Sequence, residues 1–279
     1  MPANRPFDFL LAAIDIDATL IGPDKTISRA NREAVAELRA RGCRVALASG
    51  RRHANMLPYR ARLGLDDDYV VSSQGARVEH AETGRVLHRA ELEPRTAAAL
   101  TVEGLSRGFA VMLWLRDRVA AREASEWVDR YERLCDDPVD LVDLEGLADL
   151  PAEKVIWAGD PARIAADVEA TRRRLEGRAL TTITESWSME FSAPTADKRH
   201  GVAALARHWG VPRERVLTFG DGENDVGMLG WAGLGVAMPH GRAVARAAAD
   251  LVAPEGDPAT ALARGVQAVF RRSEGALVA

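Results

Sequence analysis

Two acidic stretches of the 279-residue chain carry the residues best suited to chemistry. In FLLAAIDIDATL an apolar run opens onto Asp15, Asp17 and Thr19; in RVLTFGDGENDVGML another opens onto Gly220, Asp221, Gly222, Glu223, Asn224 and Asp225. Short apolar runs bounded by small and polar residues predict buried strands, so each run delivers carboxylates to a strand end. In an open parallel sheet that carboxyl edge is where ligands bind. Asp15, Asp17 and Asp221 gathered within ~4 Å would repel by about 4 kcal/mol per pair at an effective dielectric of about 20. A divalent cation offsets such repulsion. All-oxygen donors favour a hard ion, and few carboxylates with room for water and phosphate favour Mg²⁺ over Ca²⁺. The sequence has no His/Cys grouping with zinc spacing.

Two further residues complete an anion site. Ser49 closes RVALAS ahead of Gly50 and Arg51, so its hydroxyl and the neighbouring N–H groups can meet an oxyanion. Lys198 opens a helix after SAPTAD, where an ammonium and a helix N-terminus attract negative charge together. Alone, one is an ordinary turn residue and the other a surface charge; their company with the acidic strand ends changes that. Of 37 basic side chains only Lys25, Lys154 and Lys198 are lysine. A codon bias towards arginine explains the skew, yet each lysine draws attention because arginine does not replace a compact ammonium.

The elements that must position these groups fall into three stretches. In the first third, residues 9–15, 44–49 and 69–73 predict buried strands. A helix capped by Ser28 and ending at Gly42 separates the first two, and a helix over 53–63, kinked or delayed by Pro58, separates the last two. Strand–helix alternation implies a parallel sheet with right-handed crossovers. The last third repeats the rhythm, with helices at 197–209, near 224–230 and near 242–248 between RVLTFGDG, GLGVAM and DLVAP. The middle predicts strands FAVMLWL, KVIWAG and LTTITE and helices near 94–107, 125–134 and 161–175. The expectation is an α/β protein: a doubly wound parallel-sheet core from 1–90 and 189–279, and an inserted α/β domain over 91–188. Trp114, Trp127, Trp157 and Trp187 of the insert are chiefly core candidates, with Trp187 the best placed for a pocket rim. Arg116 is a weaker candidate for an anionic leaving group, and Arg172 to Arg174 predict a solvated helix face.

DIDATL, ASGR, Lys198 before an amphipathic helix and GDGENDVGML, in this order and spacing, resemble the haloacid dehalogenase superfamily. With SSQGA, GLGVAM and the length of the insert, the likeness covers nearly the whole chain and is to the Cof-type, subclass IIB phosphatases, whose α/β cap follows the third core strand. The resemblance implies a Rossmann-like core and a substrate-selecting cap. It implies Asp15 as a nucleophile forming an aspartyl-phosphate, and Asp17 as the acid that protonates the leaving oxygen and later activates water. Mg²⁺ would be held by Asp15, the backbone carbonyl of Asp17 and Asp221, with Asn224 and Asp225 supporting. Ser49 and Lys198 would bind phosphoryl oxygens, and Ala18, Gly50, Arg51, Gln74, Gly75 and Asn224 would surround the substrate. The chain departs from the family pattern in four places. Ala18 stands where Gly is usual and Gln74 where Asn is usual. Arg199 replaces a common Gly, and Pro239-His240 replaces a small residue followed by Asn.

Composition narrows the partners. The chain has a net charge of −4 and no basic stripe, which excludes the electrostatic footprint of nucleic-acid binding. No run reaches the ~20 apolar residues of a membrane span, and acids interrupt the apolar N-terminal stretch. Cys43 and Cys135 lack ligand spacing and predict reduced thiols. The expectation is a cytoplasmic enzyme without a secretory signal, hydrolysing a small soluble phosphate such as a sugar phosphate. A phosphotransferase or mutase with the same site, and a non-catalytic phosphate-binding regulatory module, are the alternatives. A single-domain receiver fits poorly, because it lacks an insert and the GDGEND strand end.

Overall fold

The computed structural model describes residues 7–65, 69–147 and 150–274. In chain order the first segment holds β1 (Leu11–Ile14), α1 (Arg29–Ala40), β2 (Arg44–Leu47), α2 (His53–Arg62), β3 (Tyr69–Ser72), β4 (Arg77–His80) and β5 (Val86–Arg89). The middle holds α3 (Pro94–Ser106), β6 (Ala110–Trp114), β7 (Val119–Ala121), α4 (Glu126–Cys135), β8 (Val139–Leu141), β9 (Lys154–Ala158), α5 (Pro161–Arg174), β10 (Leu180–Ile183) and β11 (Ser188–Ser192). The last segment holds α6 (Lys198–His208), β12 (Val216–Gly220), α7 (Val226–Trp231), β13 (Leu234–Ala237), α8 (Ala243–Ala248), β14 (Leu251–Val252) and α9 (Ala261–Glu274). The chain divides into two compact units, Met1–His88 with Asp197–Ala279, and Arg89–Ala196.

The first unit is built on a five-stranded sheet, β14-β13-β12-β1-β2, whose pairings are all parallel. Its interior strand β1, between β12 and β2, is apolar at every position because both faces are covered. Ala12 and Ile14 join Leu38 of α1 and Val266 of α9 on one face; Leu11 and Ala13 join Leu205 of α6 and Met228 of α7 on the other. That is doubly wound packing. The sequence predicted 69–73 as another strand of this sheet. Instead β3 pairs antiparallel with β4 in a separate three-stranded sheet, and meets the β2 segment through a parallel bridge between Ala48 and Val71. Pro58 lies inside α2 without ending it.

The second unit is a six-stranded sheet, β10-β11-β9-β6-β7-β8. Leu100 of α3 and Ile164 of α5 pack with Trp157 and Phe191 on one face; Val128 and Tyr131 of α4 pack with Trp114 and Trp187 on the other. Trp187, expected at a rim, is 3% exposed and stacks on Trp127 with ring centroids 6.2 Å apart. The return to the first unit falls after Ala196 rather than after 188, because Ser188–Ser192 is a strand hydrogen-bonded between β10 and β9. Among the described residues, no helix is long and apolar enough to cross a membrane.

One buried polar side chain ties the loop after β1 to the outer helices. Ser28 caps α1 by accepting from the Asn31 N–H, and Asn31, fully buried, reaches outward. Its Nδ2 donates to the carbonyls of Leu20 (2.8 Å) and Ala259 (3.1 Å), and its Oδ1 accepts from the Ala263 N–H at 3.0 Å. Asn31→Ala strands these three backbone groups away from water. It is expected to lower stability by about 2–4 kcal/mol, read from urea unfolding.

Candidate active site

β1 and β12 run side by side in one direction, with Ile14 beside Phe219, and the Asp15 N–H donates to the Phe219 carbonyl at 3.0 Å. Asp15 and Asp221 therefore leave the sheet at the same edge. Asp225 follows in the short helical turn Glu223–Asp225. Carboxylate oxygens of Asp15, Asp221 and Asp225 all lie within 4.8 Å of one another. Lys198, the first residue of α6 and fully buried, places its ammonium among them. Nζ donates to Asp15 Oδ1 at 2.5 Å and to Asp225 Oδ1 at 2.6 Å. Asp225 Oδ2 accepts the N–H groups of Asp221 and Gly222, each at 2.9 Å. Gly220 makes this fit, since a Cβ there would lie 2.5 Å from Asp225 Cγ.

Burial sets the proton affinities. Desolvation raises the Asp15 carboxyl well above its usual range; Lys198 opposes that, while Asp225 and Asp221 add to it. Asp221 is pushed up to about 6, first by burial and then by Asp225, with Lys198, a Thr19 hydrogen bond and His240 opposing. Burial alone would lower Lys198, but the charges of Asp15 and Asp225 outweigh it and hold the ammonium well above its ordinary value. Crowded carboxylates that bind protons too tightly also suit a cation. Asp225 has both oxygens engaged. Among the described residues, however, Asp15 Oδ2 and Asp221 Oδ2 accept no hydrogen bond. The open oxygen of Asp221 fits a hard divalent ion beside Asp15, with Asp225 supporting through Lys198 and the backbone, and Asp15 Oδ2 remains open to a substrate.

The other predicted residues take distinct places. Asp17 lies outside this cluster, with its side chain 55% exposed, and its carboxylate receives a two-pronged grip from Arg51, Nε to Oδ2 at 2.9 Å and Nη2 to Oδ1 at 2.7 Å. Arg51, expected to meet substrate, is thus engaged by the acid itself. Ser49, 1% exposed, ends the β2 segment beside β1, and its Oγ accepts the Arg51 N–H at 3.2 Å. Gln74 is exposed less than Asn224, whose Nδ2 donates to Gln74 Oε1 at 2.8 Å. Gly50 lies under the Gln74 amide: a Cβ there would be 2.6 Å from Nε2. Gly75, at φ +88°, allows the start of α6 to approach, for its Cβ would lie 2.0 Å from the Asp197 carbonyl oxygen. Ala18 takes φ +57° and is exposed.

Three contributors had no assigned role in the sequence reading. Thr19, fully buried, donates to Asp221 Oδ1 at 3.1 Å; its place at the end of DIDAT was the available signal. Asp197 caps α6 by accepting the His200 N–H at 2.8 Å, as an Asp directly before a helix does. His240, visible only as a departure from the family pattern, contacts the Ala18 carbonyl at 2.7 Å through Nε2.

A strand-edge carboxylate cluster with a buried lysine on a doubly wound sheet is an α/β site built to hold a cation next to a reactive carboxylate. The chain belongs to the haloacid dehalogenase-like hydrolase family, whose profile matches residues 12–264. It is 27% identical over 236 residues to the HMP-PP phosphatase of Cronobacter sakazakii, covering 82% of this chain and 83% of that one. It is also 27% identical over 255 residues to the chloroplastic endoribonuclease YBEY of Arabidopsis thaliana, but spans only 44% of that protein's length. The fold matches a haloacid dehalogenase-like hydrolase from Bacteroides thetaiotaomicron at TM-score 0.83 and 23% identity, covering 94% of this chain and 100% of that one. A subclass IIB sugar phosphatase of the superfamily matches at TM-score 0.81 and 20% identity, covering 93% and 98%.

Two outcomes follow from the buried charges. Folding raises the Asp221 carboxyl from near 3.8 to about 6, so its favourable contribution is complete below about 4 and is lost as pH rises through 6. Relative to Asp221→Asn, the metal-free wild type should therefore lose melting temperature over that window, and Mg²⁺ should restore more of it at pH 7 than at pH 5. Lys198→Arg keeps the charge but forces a planar fork into a filled slot. It is expected to cost about 1–3 kcal/mol in urea unfolding.

Proposed function

We propose that the protein is a Mg²⁺-dependent phosphomonoester hydrolase that works through an aspartyl-phosphate on a small soluble phosphate, a sugar phosphate or related metabolite. The observation that carries this reading is the Lys198 ammonium bridging Asp15 and Asp225 at the carboxyl edge of the sheet. It leaves one Asp15 oxygen without a hydrogen bond, oriented by its bonded partner and available as a nucleophile. The family membership and the named phosphatase among the relatives support the same chemistry.

The reaction has two displacements. Asp15 Oδ2 attacks phosphorus, the bond from phosphorus to the leaving oxygen breaks, and the carboxylic acid proton of Asp17 passes to that oxygen. Water then attacks the phosphorus of the aspartyl-phosphate, its proton goes to the Asp17 carboxylate, and Asp15 is released with inorganic phosphate. Mg²⁺, held by Asp15, Asp221 and the Asp17 carbonyl, would neutralise charge on the transferring group. Lys198 and Ser49 serve the phosphoryl oxygens from the protein side. Asp17 is suited to the proton work because it is exposed and reaches solvent, whereas Asp15 is buried. The Arg51 fork must open, or move with Asp17, when the acid carries its proton. The Arg89–Ala196 unit is in this reading the domain that sets substrate specificity.

Asp15→Asn keeps the shape and removes the nucleophile. It should lower turnover on the order of 10³-fold or more across a panel of phosphorylated metabolites with Mg²⁺. Full turnover by this variant, or no release of phosphate by the wild type from any member of the panel, would reject the proposal. Label from the substrate should appear in inorganic phosphate; its appearance in a new ester would identify a phosphotransferase.

A further inference from the structure

We propose that His240 is the positioning residue for Asp17: it latches a turn that alanine enters at a strained angle, and so fixes where the leaving group receives its proton. The inference rests on the phosphatase reading above for the role of Asp17, but the latch itself stands on geometry. Ala18 has φ +57°, in the left-handed region that a Cβ disfavours. Its carbonyl meets His240 Nε2 at 2.7 Å across 222 residues of sequence. A carbonyl can only accept, so Nε2 carries the hydrogen and donates. His240 follows β13 in the loop that begins at Met238, whose N–H donates to the Gly220 carbonyl at 2.9 Å, so the donor stands on a strand of the central sheet.

The residues around Ala18 decide what moves if the latch is lost. Asp15 is tied to Phe219 through its N–H. Ile16 is fully buried, and its carbonyl accepts from Leu20 and Ile21, each at 3.0 Å. Thr19 is fully buried and bound to Asp221. A relaxation of Ala18 to negative φ therefore cannot be absorbed at 15, 16 or 19. Asp17 bridges Ile21 through its flanking backbone, so the change falls on the peptide joining Asp17 to Ala18 and on the aim of the Asp17 side chain, which is 55% exposed and gripped by Arg51 at its carboxylate. Two departures from the family pattern meet at this contact: alanine where glycine would take the left-handed angle without penalty, and histidine in the loop after GLGVAM. The second compensates for the first.

The test is a cycle of His240→Ala, Ala18→Gly and the double variant, assayed on two substrates. p-Nitrophenyl phosphate releases an oxyanion that needs no proton, whereas glycerol phosphate releases an alkoxide that does. A displaced acid should thus be felt in kcat/KM for the second alone. His240→Ala is expected to lose about tenfold or more on glycerol phosphate and less than about twofold on p-nitrophenyl phosphate. His240→Gln, which retains a donor, should recover most of the loss. Ala18→Gly in the His240→Ala background should recover it as well, because glycine holds φ +57° unaided. Melting temperatures read the latch without any activity: Ala18→Gly should raise that of His240→Ala by more than it raises that of the wild type. Equal losses on both substrates, no recovery by Ala18→Gly, or additive melting shifts would overturn the inference. An inactive wild type with coupled melting shifts would instead reject the phosphatase reading and leave the latch standing.

Discussion

Three carboxylates with oxygens inside 4.8 Å of one another do not remain ionised in a buried site unless a cation stands among them, and Lys198 is the cation this chain supplies. Removing an ion from water costs several kcal/mol even after the protein relaxes, so its partners must be close and well aimed. Both are: the ammonium sits 2.5 and 2.6 Å from carboxylate oxygens of two different segments. Being first in α6 adds the positive end of a helix, and Asp197 closes that end. Its location depends in turn on a turn of another segment. With any side chain at residue 75 the chain at Asp197 could not approach, and the ammonium would be withdrawn from Asp15.

Around this rigid floor the exposed rim is held differently. Ala18 and the half-buried Gln74 take positive φ without being glycine, as does the buried Ser73 next to Gln74, and each such residue costs about 1 kcal/mol or more. Hydrogen bonds between loops maintain them: Asn224 to Gln74, His240 to Ala18, and the Gln74 N–H to the Ser49 carbonyl at 3.1 Å. A net hydrogen bond contributes about 1 kcal/mol, the same order as the strain it opposes. The floor is therefore fixed by burial and charge, while the rim is balanced between strain and single contacts. Groups that must follow a reaction, Asp17 above all, lie on the rim.

Sequence made the floor legible because periodicity and chemistry coincide there. Apolar strands 11–14 and 216–220 end in acids, and nothing but a parallel pairing puts both ends together. The helix after SAPTAD showed Lys198 at its start for the same reason. What sequence could not show was the partner of an exposed side chain. Arg51 looks like a ligand group in ASGR, yet its fork closes on Asp17, a contact set by loop geometry 34 residues away. Strand β3 appeared to continue the main sheet because its run YVVS is as apolar as β1, and only its antiparallel pairing with β4, whose buried Arg77 and Glu79 disguise it as polar, redirects it. Ser188–Ser192 was missed as a strand of the second unit for a similar reason: a buried Glu190, paired with Lys154 at 2.5 Å, breaks the apolar pattern.

That last pair bears on why lysine persists in so arginine-rich a chain. Lys154 and Lys198 are both buried and both meet a carboxylate at 2.5 Å, while Lys25 occupies an exposed left-handed turn. Burial alone does not demand lysine, for Arg77 is 1% exposed and pairs with Glu79 at 3.0 Å. The difference lies in how the partners converge. Arg77 meets a carboxylate two residues along its own strand, where a planar fork can lie flat. Lys198 must bring a single nitrogen to oxygens from two segments at once, Asp15 after β1 and Asp225 after β12. Lys154 likewise fits its nitrogen between Glu190 and the face of Trp114, 4.2 Å from the ring centre. A point charge on a flexible stem satisfies convergent partners in a closed space; a guanidinium would need its donors satisfied in directions that the packed strands already occupy.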